Sequence, residues 1–256
     1  MALRPVADDL RTLVVLPTYD EADNVVEVLE AIRRHLPDAD VLVVDDGSPD
    51  GTADLADKVG ERLGRISVIR RTAKRGLGAA YLDGFGSGLA AGYDVLVEMD
   101  ADLSHDPADL PALVGAVRVV GADLAIGSRY VPGGSIPDWP WTRRMLSRWG
   151  NRYAAAVLGL AVNDATSGFR AFRADTLRRI DLSTVGAEGY AFQVELAYRV
   201  VRARGRIVEV PIVFRDRVRG TSKMSWRIIG EAMLLVARWG WRDRLRGRQG
   251  RALRRP

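Results

Sequence analysis

The sequence predicts an α/β fold, a mostly parallel sheet with helices on both faces, followed by amphipathic helices at the C-terminus. Short β-type runs alternate with helical patterns through the first half of the chain, and polar clusters follow several of these runs. Two helical segments rich in tryptophan and arginine occupy the second half. The 256 residues, 47% hydrophobic and 28% charged, suffice for one large soluble domain with a modest extension.

Five strands are predicted in the first half from their short, apolar, β-branched runs. They are TLVVLP (12–17), DVLVVDD (40–46), ISVIR (66–70), DVLVEMD (94–100) and DLAIGSR (123–129). Helix N-caps are expected just after strands, because small polar side chains accept hydrogen bonds from the first turn of a helix. The candidates are Thr18 with Glu21 at capping-box spacing, Ser48 before Pro49, and Asp106 before Pro107.

The second half is predicted to hold two amphipathic helical segments, 135–160 and 225–241, which contain all six tryptophans. The tryptophans are Trp139, Trp141, Trp149, Trp226, Trp239 and Trp241. Between the two segments we expect a loop (163–172), a helix (191–205), a strand (206–214) and a basic loop (215–225). The chain is therefore divided into a main domain, 1–225, and a helical, basic extension, 226–256, suited to a membrane surface.

Composition excludes several kinds of site. The chain has no cysteine and only two histidines, His35 and His105. Disulfides and thiolate metal sites are excluded, and a zinc centre or a serine–histidine triad is disfavoured. A metal ion would be bound through oxygen, which favours Mg²⁺ or Mn²⁺. His105 is expected to shape its loop through a hydrogen bond, and His35 to lie at the surface of a helix.

The formal net charge of +5 is concentrated at the C-terminus, where seven arginines follow Trp241 against the single Asp243. Such a tail favours an anionic neighbour, although a solvated, frayed terminus has the same composition. No segment approaches the roughly 20 apolar residues that span a bilayer, and the N-terminus lacks the apolar core of a signal peptide. We therefore expect a cytoplasmic protein.

Two aspartates one residue apart follow the fourth predicted strand, in MDADLSH (99–105). On an extended chain Asp100 and Asp102 would face the same side, roughly 6.5 Å apart at the backbone. Their repulsion is on the order of 2–3 kcal/mol at an effective dielectric of about 20. A divalent cation that bridges the carboxylates to a diphosphate would offset it.

Other candidate side chains follow neighbouring strands, whose carboxyl ends meet at the edge of a sheet where ligands bind. Tyr19 and Glu21 could flank a nucleobase, and Asp45 or Asp46 could accept hydrogen bonds from a base or ribose. Either cluster alone could equally consist of capping residues. Cations suited to phosphate are Arg129, Arg170, Arg217, Arg219 and Lys223.

A different site is suggested by RGLGAAYLDG (75–84), in which Gly76, Gly78 and Tyr81 come close to the dinucleotide-binding pattern G-x-G-x-x-G/A. The third small residue is missing, and this pattern leaves the acidic strand ends without a role. A dehydrogenase is therefore a weaker alternative than a site for a nucleotide diphosphate.

Together the motifs resemble those of family-2 glycosyltransferases with a GT-A, Rossmann-like fold, and among them the dolichol- or polyprenol-phosphate mannose synthases. The similarity covers roughly residues 12–225. In the family's order, the motifs are LPTYDEADN, VVDDGSPDGT, GLGAAYLDG, MDADLSHDP, GSRY, TSGFRAF, YAFQVE and DRVRGTSK. DADLSHDP together with DRVRGTSK carries the narrower resemblance to the polyprenol-phosphate mannose synthases.

The resemblance implies roles for individual residues. The guanosine of GDP-mannose would be held by Pro17, Tyr19, Glu21, Val44 and Asp46, and the diphosphate and sugar would lie at Asp100, Ala101 and Asp102. Asp102 is the expected direct metal ligand, and Ser104 stands where some relatives have a glutamine ligand, so it would reach the metal directly or through water. Phosphates of donor or acceptor would be bound by Arg129, Arg217 and Lys223, with Ser167 and Arg170 as further candidates.

The implied activity is metal-dependent, inverting transfer of mannose from GDP-mannose to dolichyl or polyprenyl phosphate, at the cytoplasmic face of a membrane. Mg²⁺ or Mn²⁺ would be the cofactor. The expected partners are the membrane surface or a protein that anchors the chain there, and no binding to nucleic acid is expected. Two alternatives stay open: a glucosyltransferase that uses UDP-glucose with the same lipid, and a non-catalytic binding subunit of the same fold.

Overall fold

The strands form a seven-stranded sheet that is mostly parallel. The computed structural model describes residues 10–187, 189–216 and 226–252, the side chains of 190, 226–229 and 244–252 excepted. The strands are β1 (Thr12–Thr18), β2 (Asp40–Asp45), β3 (Ile66–Arg70), β4 (Val95–Glu98), β5 (Leu124–Ser128), β6 (Arg170–Arg173) and β7 (Ile207–Pro211). Their order is β3-β2-β1-β4-β6-β5-β7, and β6 runs antiparallel to both of its neighbours.

Helices connect the strands and cover both faces of the sheet. In the described part of the chain they are α1 (Val25–His35), α2 (Thr52–Leu63), α3 (Leu77–Ala90), α4 (Leu110–Arg118), α5 (Trp141–Leu158), α6 (Ala174–Arg179), α7 (Gly189–Arg202) and α8 (Trp226–Ala252). Short 3₁₀ turns lie at Pro107–Asp109 and Leu182–Thr184. The predicted α/β class, with helices on both faces of a mostly parallel sheet, is confirmed.

The alternating side chains of β1 enter two separate hydrophobic cores. Leu13 and Val15 pack on one face with residues of α3, α5, α7 and α8. Val14 and Leu16 pack on the other face with residues of α1, α2 and α4. Because both faces of this strand are covered, it is an almost continuous apolar run.

Helix α3 lies close against the sheet because two of its glycines face the strands. A Cβ added to Gly84 would stand 2.3 Å from a methyl group of Val15. One added to Gly88 would stand 2.7 Å from methyl groups of Leu13 and Leu96. Only glycine fits at these distances, so the glycines of GLGAAYLDG and its continuation set the separation between helix and sheet.

The C-terminal helix α8 packs against α5 and α7. Val236 of α8 is buried in the core, and a Cβ on Gly240 would stand 2.5 Å from a methyl group of Val157. Within the described residues, the helices are all too short or too polar to cross a bilayer.

Several predicted element boundaries are wrong. β4 ends at Glu98, so the paired aspartates are not on the strand. The segment 163–172, predicted as a loop, contains the start of β6. The helix predicted from residue 135 begins at Trp141, because Ser135 instead forms a β-bridge with Val213.

Two of the three predicted N-caps are also wrong. Thr18 and Ser48 both donate their hydroxyls to the buried carboxylate of Asp45, at 2.9 and 2.5 Å, and α1 and α2 begin several residues later. The third is confirmed, since Asp106 accepts a hydrogen bond from the N–H of Ala108 at 2.9 Å and begins a 3₁₀ turn. The Asp45 carboxylate, across the strands for Thr18 and within the same turn for Ser48, thus takes the place of capping for both hydroxyls.

Candidate active site

The acidic segments predicted to form the site leave the sheet at one edge. β1 lies between β2 and β4, with Thr18 opposite Asp45 and Val15 opposite Glu98. The polar segments that follow these strands therefore emerge side by side, as expected for the carboxyl ends of parallel strands.

The neighbouring Asp45 and Asp46 have different roles. Asp45 closes its own turn, since it accepts hydrogen bonds from the N–H groups of Gly47 and Ser48 at 3.1 and 2.9 Å. Asp46 is ion-paired with Arg71 and also accepts the N–H of Gly76 at 3.2 Å. Asp45 is therefore the turn-former, and a nucleoside contact of Asp46 stays a prediction. Such a contact would be made beside Arg71, a residue that the sequence did not indicate.

Tyr19 and Glu21 lie just beyond the end of β1. The ammonium nitrogen of Lys74 stands 3.3 Å from the centroid of the Tyr19 ring. The carboxylate of Glu21 accepts a hydrogen bond from the side-chain amide of Asn24 at 2.8 Å. The backbone N–H of Glu21 donates to the hydroxyl of Thr52 at 3.0 Å. These contacts tie the segment after β1 to α1 and α2.

Pro17 and Val44 are paired across β1 and β2, and both are buried. The side chain of Val44 has no exposed surface and belongs to the core that α3 covers. Its backbone is buried as well, between β1 and β3, and a contact of Val44 with a nucleoside stays a prediction.

The paired aspartates lie in a turn, so the prediction that strand geometry orients them is wrong. Leu103 has a φ of 60°, in the left-handed region that bulky residues rarely occupy. Asp102 is 4% exposed and accepts the N–H of Ser104 at 3.1 Å. Asp100 is more exposed and accepts the hydroxyl of Tyr81 at 3.0 Å. Separate hydrogen bonds thus fix the two carboxylates.

These carboxylates fit a hard divalent cation that binds together with a phosphate-containing substrate. In the described residues no group of three acidic, histidine or cysteine side chains forms a complete metal site. Asp100 and Asp102 offer oxygen ligands, and Mg²⁺ commonly takes its remaining ligands from water and substrate phosphates. Ala101, between them, is buried. Ser104 is buried too, and a contact of its hydroxyl with metal stays a prediction.

A buried acid–base pair lies behind this turn. Glu98 and Arg170 are opposite each other on β4 and β6, and both side chains are fully buried. Burial raises the pKa of Glu98 to about 8, although the charge of Arg170 opposes the shift. Arg170 donates to the carbonyls of Ala165, Ser167 and Gln193, each at 2.7 Å. Its predicted place in a polar loop is wrong, and its donors are committed to the backbone.

Arg129 begins a second, basic region just beyond β5. It is 6% exposed and donates to Asp164 through Nε and Nη2, at 2.7 and 2.6 Å, and to the hydroxyl of Thr166 at 2.8 Å. Burial by itself would raise the pKa of Asp164, but the charge and hydrogen bonds of Arg129 hold it below its ordinary value. The bidentate geometry fixes the guanidinium in place.

A cavity of about 110 Å³ adjoins Arg129 between α5 and α8. Its lining includes Trp139, Arg143 and apolar side chains such as Leu146 and Val236. Arg143 stacks over Trp139, 3.8 Å from guanidinium carbon to ring centroid. The cavity therefore combines positive charge with an apolar wall, which suits a molecule with an anionic head and an apolar chain. Sequence reasoning missed Arg143 among the many arginines of this segment.

An exposed apolar stripe runs along α5. Trp141, Met145 and Trp149 are spaced four residues apart and are 65%, 60% and 52% exposed. On α8, Leu234 and Trp241 are also exposed. In contrast, Trp139 is buried and its indole N–H donates to Asp216 at 2.7 Å. Among the described tryptophans, Trp139 thus lies at the cavity, and Trp141, Trp149 and Trp241 lie at the surface.

The remaining predicted residues have varied outcomes. Arg217, Arg219 and Lys223 lie outside the described residues. His35 ends α1 and is exposed, as predicted. His105 is buried and stacks on the ring of Phe169, with 5.0 Å between the ring centroids. The hydroxyl of Ser167 accepts a hydrogen bond from the backbone N–H of Phe169 at 3.4 Å.

Comparison with known proteins identifies the family. Residues 13–181 match glycosyl transferase family 2. The chain is 52% identical over 236 residues to a polyprenol monophosphomannose synthase of Mycolicibacterium smegmatis, which covers 92% of this chain and 89% of that protein. It is 51% identical over 242 residues to an undecaprenyl-phosphate mannosyltransferase of Micrococcus luteus, which covers 94% of this chain and 99% of that protein.

The solved structure of Mycobacterium tuberculosis glucosyl-3-phosphoglycerate synthase in complex with UDP has the same fold. Its TM-score is 0.64 at 21% identity, covering 89% of this chain and 78% of that chain. These similarities favour neither the dehydrogenase nor the non-catalytic alternative. The chain belongs to glycosyl transferase family 2 and is a glycosyltransferase with a GT-A fold that resembles the polyprenol-phosphate mannose synthases.

Proposed function

We propose that this enzyme transfers mannose from GDP-mannose to a polyprenyl phosphate, with inversion at the anomeric carbon and with Mg²⁺ or Mn²⁺ as cofactor. The observation that carries the proposal is that the loop between α5 and β6 contacts both the acidic region around Asp100 and the basic region around Arg129. Thr166 of this loop bonds Arg129, and a Cβ on Gly168 would stand 3.7 Å from Oδ2 of Asp100. The names of the relatives at 52% and 51% identity support mannose as the sugar and polyprenyl phosphate as the acceptor.

The donor is assigned to the acidic region. Tyr19, Glu21 and Asp46, with Pro17 and Val44, would surround the guanosine. Asp100 and Asp102 would hold the metal against the diphosphate, and the bound metal would neutralise the charge that develops on the departing GDP. Arg217 and Lys223 are retained as proposed phosphate ligands.

The acceptor is assigned to the basic region. Arg129 and Arg143 would bind the phosphate of the lipid, because guanidinium groups match phosphate oxygens. The first isoprene units would enter the apolar cavity between α5 and α8. The exposed stripe on α5 and the arginine-rich extension, 226–256, would lie at the cytoplasmic surface of a membrane, where tryptophan and arginine are favoured.

The reaction needs no strong protein base. The second pKa of a phosphate monoester is near 6, so the acceptor is already largely dianionic at neutral pH. A phosphate oxygen attacks the anomeric carbon, the bond from that carbon to GDP breaks, and GDP leaves with the electron pair. The protein contributes by positioning two anions and stabilising the leaving diphosphate. Attack from the face opposite GDP gives polyprenyl β-phosphomannose.

The test is a transfer assay with undecaprenyl phosphate and a panel of nucleotide sugars, with and without EDTA. We expect product from GDP-mannose, little from UDP-glucose, and loss of product in EDTA that Mg²⁺ or Mn²⁺ restores. The product's anomeric configuration is read by NMR. Preference for UDP-glucose would contradict the donor assignment, activity in EDTA would contradict the metal, and an α-linked product would contradict inversion.

A further inference from the structure

Tyr81 lies in the motif GLGAAYLDG, to which neither the donor nor the acceptor assignment gives a role. Its side chain is fully buried in α3. The ring packs between Phe85 and Phe192, with centroid distances of 6.1 and 6.2 Å, and it is nearly parallel to Phe192 at 8°. From this position its hydroxyl donates to Oδ1 of Asp100 at 3.0 Å.

The glycines of the motif hold this ring in place. A Cβ on Gly84 would stand 2.3 Å from a Val15 methyl group, so α3 can sit directly on β1 only with glycine there. A Cβ on Gly78 would stand 3.1 Å from the ring of Phe192, so glycine also lets α7 close over Tyr81. The hydroxyl therefore reaches the end of β4 on a rigid support.

The two carboxylate oxygens of Asp100 have different neighbours. Its Oδ1 accepts the hydroxyl of Tyr81, which has one proton to donate. A Cβ on Gly168, in the loop that leads to Arg129, would stand 3.7 Å from its Oδ2. The hydrogen bond from Tyr81 therefore bears on which way the carboxylate faces.

We propose that Tyr81 is a positioning residue whose hydroxyl orients the Asp100 carboxylate for the metal and diphosphate. The proposal rests on the proposed function for the presence of metal and nucleotide at Asp100. Partners that orient metal ligands typically contribute about 10- to 100-fold in metal affinity or activity, because a ligand that is free to rotate must be ordered when the metal binds.

The test is the Tyr81→Phe variant, which removes one hydroxyl and keeps the stacked ring. Mn²⁺ affinity is measured by EPR titration of the full chain with GDP present. We expect the Kd for Mn²⁺ to rise about tenfold. In the transfer assay the Mn²⁺ concentration for half-maximal rate should rise in parallel, while kcat at saturating Mn²⁺ stays within about twofold of wild type, because excess metal restores the bound state.

Tyr93→Phe is the matched control. Tyr93 donates to Oδ2 of Asp40 at 2.7 Å, and both residues lie near the starts of strands, at the edge of the sheet opposite the site. Each variant loses one tyrosine–aspartate hydrogen bond, and each should lower Tm by only about 2–4 °C. Only Tyr81→Phe should weaken Mn²⁺ binding. An Mn²⁺ affinity that stays within twofold of wild type, or that falls equally in the control, overturns the proposal.

A double-mutant cycle shows whether Tyr81 acts through Asp100. In an Asp100→Asn background, Tyr81→Phe should change Mn²⁺ affinity by less than about twofold, because the group it orients has already been altered. The full single-variant loss in that background would overturn the proposal.

Failure of the proposed function has a different signature. A wild-type chain that binds Mn²⁺ and GDP, yet makes no mannolipid, contradicts the function and leaves the Tyr81 comparison valid. A wild-type chain that makes mannolipid but binds no Mn²⁺ overturns the Tyr81 proposal and the metal assignment only.

Discussion

The two sides of the candidate active site are built in different ways. The acidic side consists of residues at the ends of β1, β2 and β4, each within a few positions of a strand. The basic side is assembled from distant positions: Arg129 pairs with Asp164, 35 residues away, and Trp139 bonds Asp216, 77 residues away. The acidic side follows from the order of strands and helices along the chain, and the basic side depends on contacts between residues that are distant in sequence.

The two sides also differ in how their charges are held. Asp100 accepts a hydrogen bond from the hydroxyl of Tyr81, and Asp102 accepts one from the N–H of Ser104. Arg129 is instead held by a buried carboxylate, Asp164, which fixes its direction. In the proposed function the acidic side gains a metal ion, whereas Arg129 on the basic side is held by an ion pair within the protein.

The largest expected effect is on the acidic side. Asp102→Asn removes a charge that the metal requires and should lower kcat about 10³-fold. Steady-state transfer measures the loss, and thermal unfolding checks the fold. Asp106→Asn is a nearby control, because Asp106 only begins a 3₁₀ turn, and it should stay within a few-fold of wild type. An Asp102→Asn enzyme with a tenth or more of wild-type activity would contradict the assignment.

On the basic side, the largest effect should be on stability. Asp164→Asn leaves Arg129 buried beside a neutral group and should lower the free energy of unfolding at pH 7 by about 3 kcal/mol. Denaturant unfolding measures it. Asp175→Asn, which removes the exposed ion pair with Arg178, should change stability by no more than about 0.5 kcal/mol. Equal losses in the two variants would show that Arg129 is not held by its buried partner.

The same pair predicts a pH dependence. The pKa of Asp164 is lower in the folded chain than its ordinary value of about 4. Its stabilising contribution is therefore complete above that ordinary value and is lost as the pH falls through the folded value. The stability difference between wild type and Asp164→Asn should shrink below about pH 4. A difference that is constant from pH 7 to pH 3 would rule out this linkage.

A smaller effect is expected at the exposed stripe. The double variant Trp141→Ser, Met145→Ser should bind anionic vesicles about tenfold more weakly, because two apolar side chains no longer enter the headgroup layer. Flotation measures binding, and transfer to a short, water-soluble acceptor should stay within twofold. Val119→Ser, Val120→Ser alters exposed apolar residues beyond α4 and serves as the control. If wild type, the Trp141→Ser, Met145→Ser variant and the control bind vesicles equally, the stripe on α5 does not contribute to membrane binding.

The sequence predicts local features, such as those of the acidic side, better than features that depend on long-range packing, such as those of the basic side. Five strands of the first half were located to within two residues, because each is a local apolar run between polar turns. The turn at Asp100 was mistaken for strand, since the left-handed Leu103 has no signature in its residue type. Arg170 was placed in a loop because the antiparallel pairing of β6 with β4 joins residues 72 positions apart, Glu98 and Arg170, and no local pattern reports it.

Residues whose contacts the sequence did not indicate belong to the same class. Tyr81 stood in a quoted motif, but its bond to Asp100 depends on how closely α3 approaches the sheet. Asp164 and Arg143 lay within segments assigned only as loop and helix. Asp164 is paired with Arg129, 35 residues away, and Arg143 with Asp216, 73 residues away, and only the folded chain brings these partners near each other.

The division into a donor side and an acceptor side is tested most directly by the KM values of Arg143→Ala for both substrates. Arg143 lines the cavity, where it is ion-paired with Asp216 at 3.1 Å, and in the proposed division only the acceptor should meet its charge. We predict that the KM for polyprenyl phosphate rises about tenfold or more, because charge-assisted hydrogen bonds to phosphate are lost, while the KM for GDP-mannose stays within about twofold. A raised KM for GDP-mannose with an unchanged KM for the lipid would contradict the account.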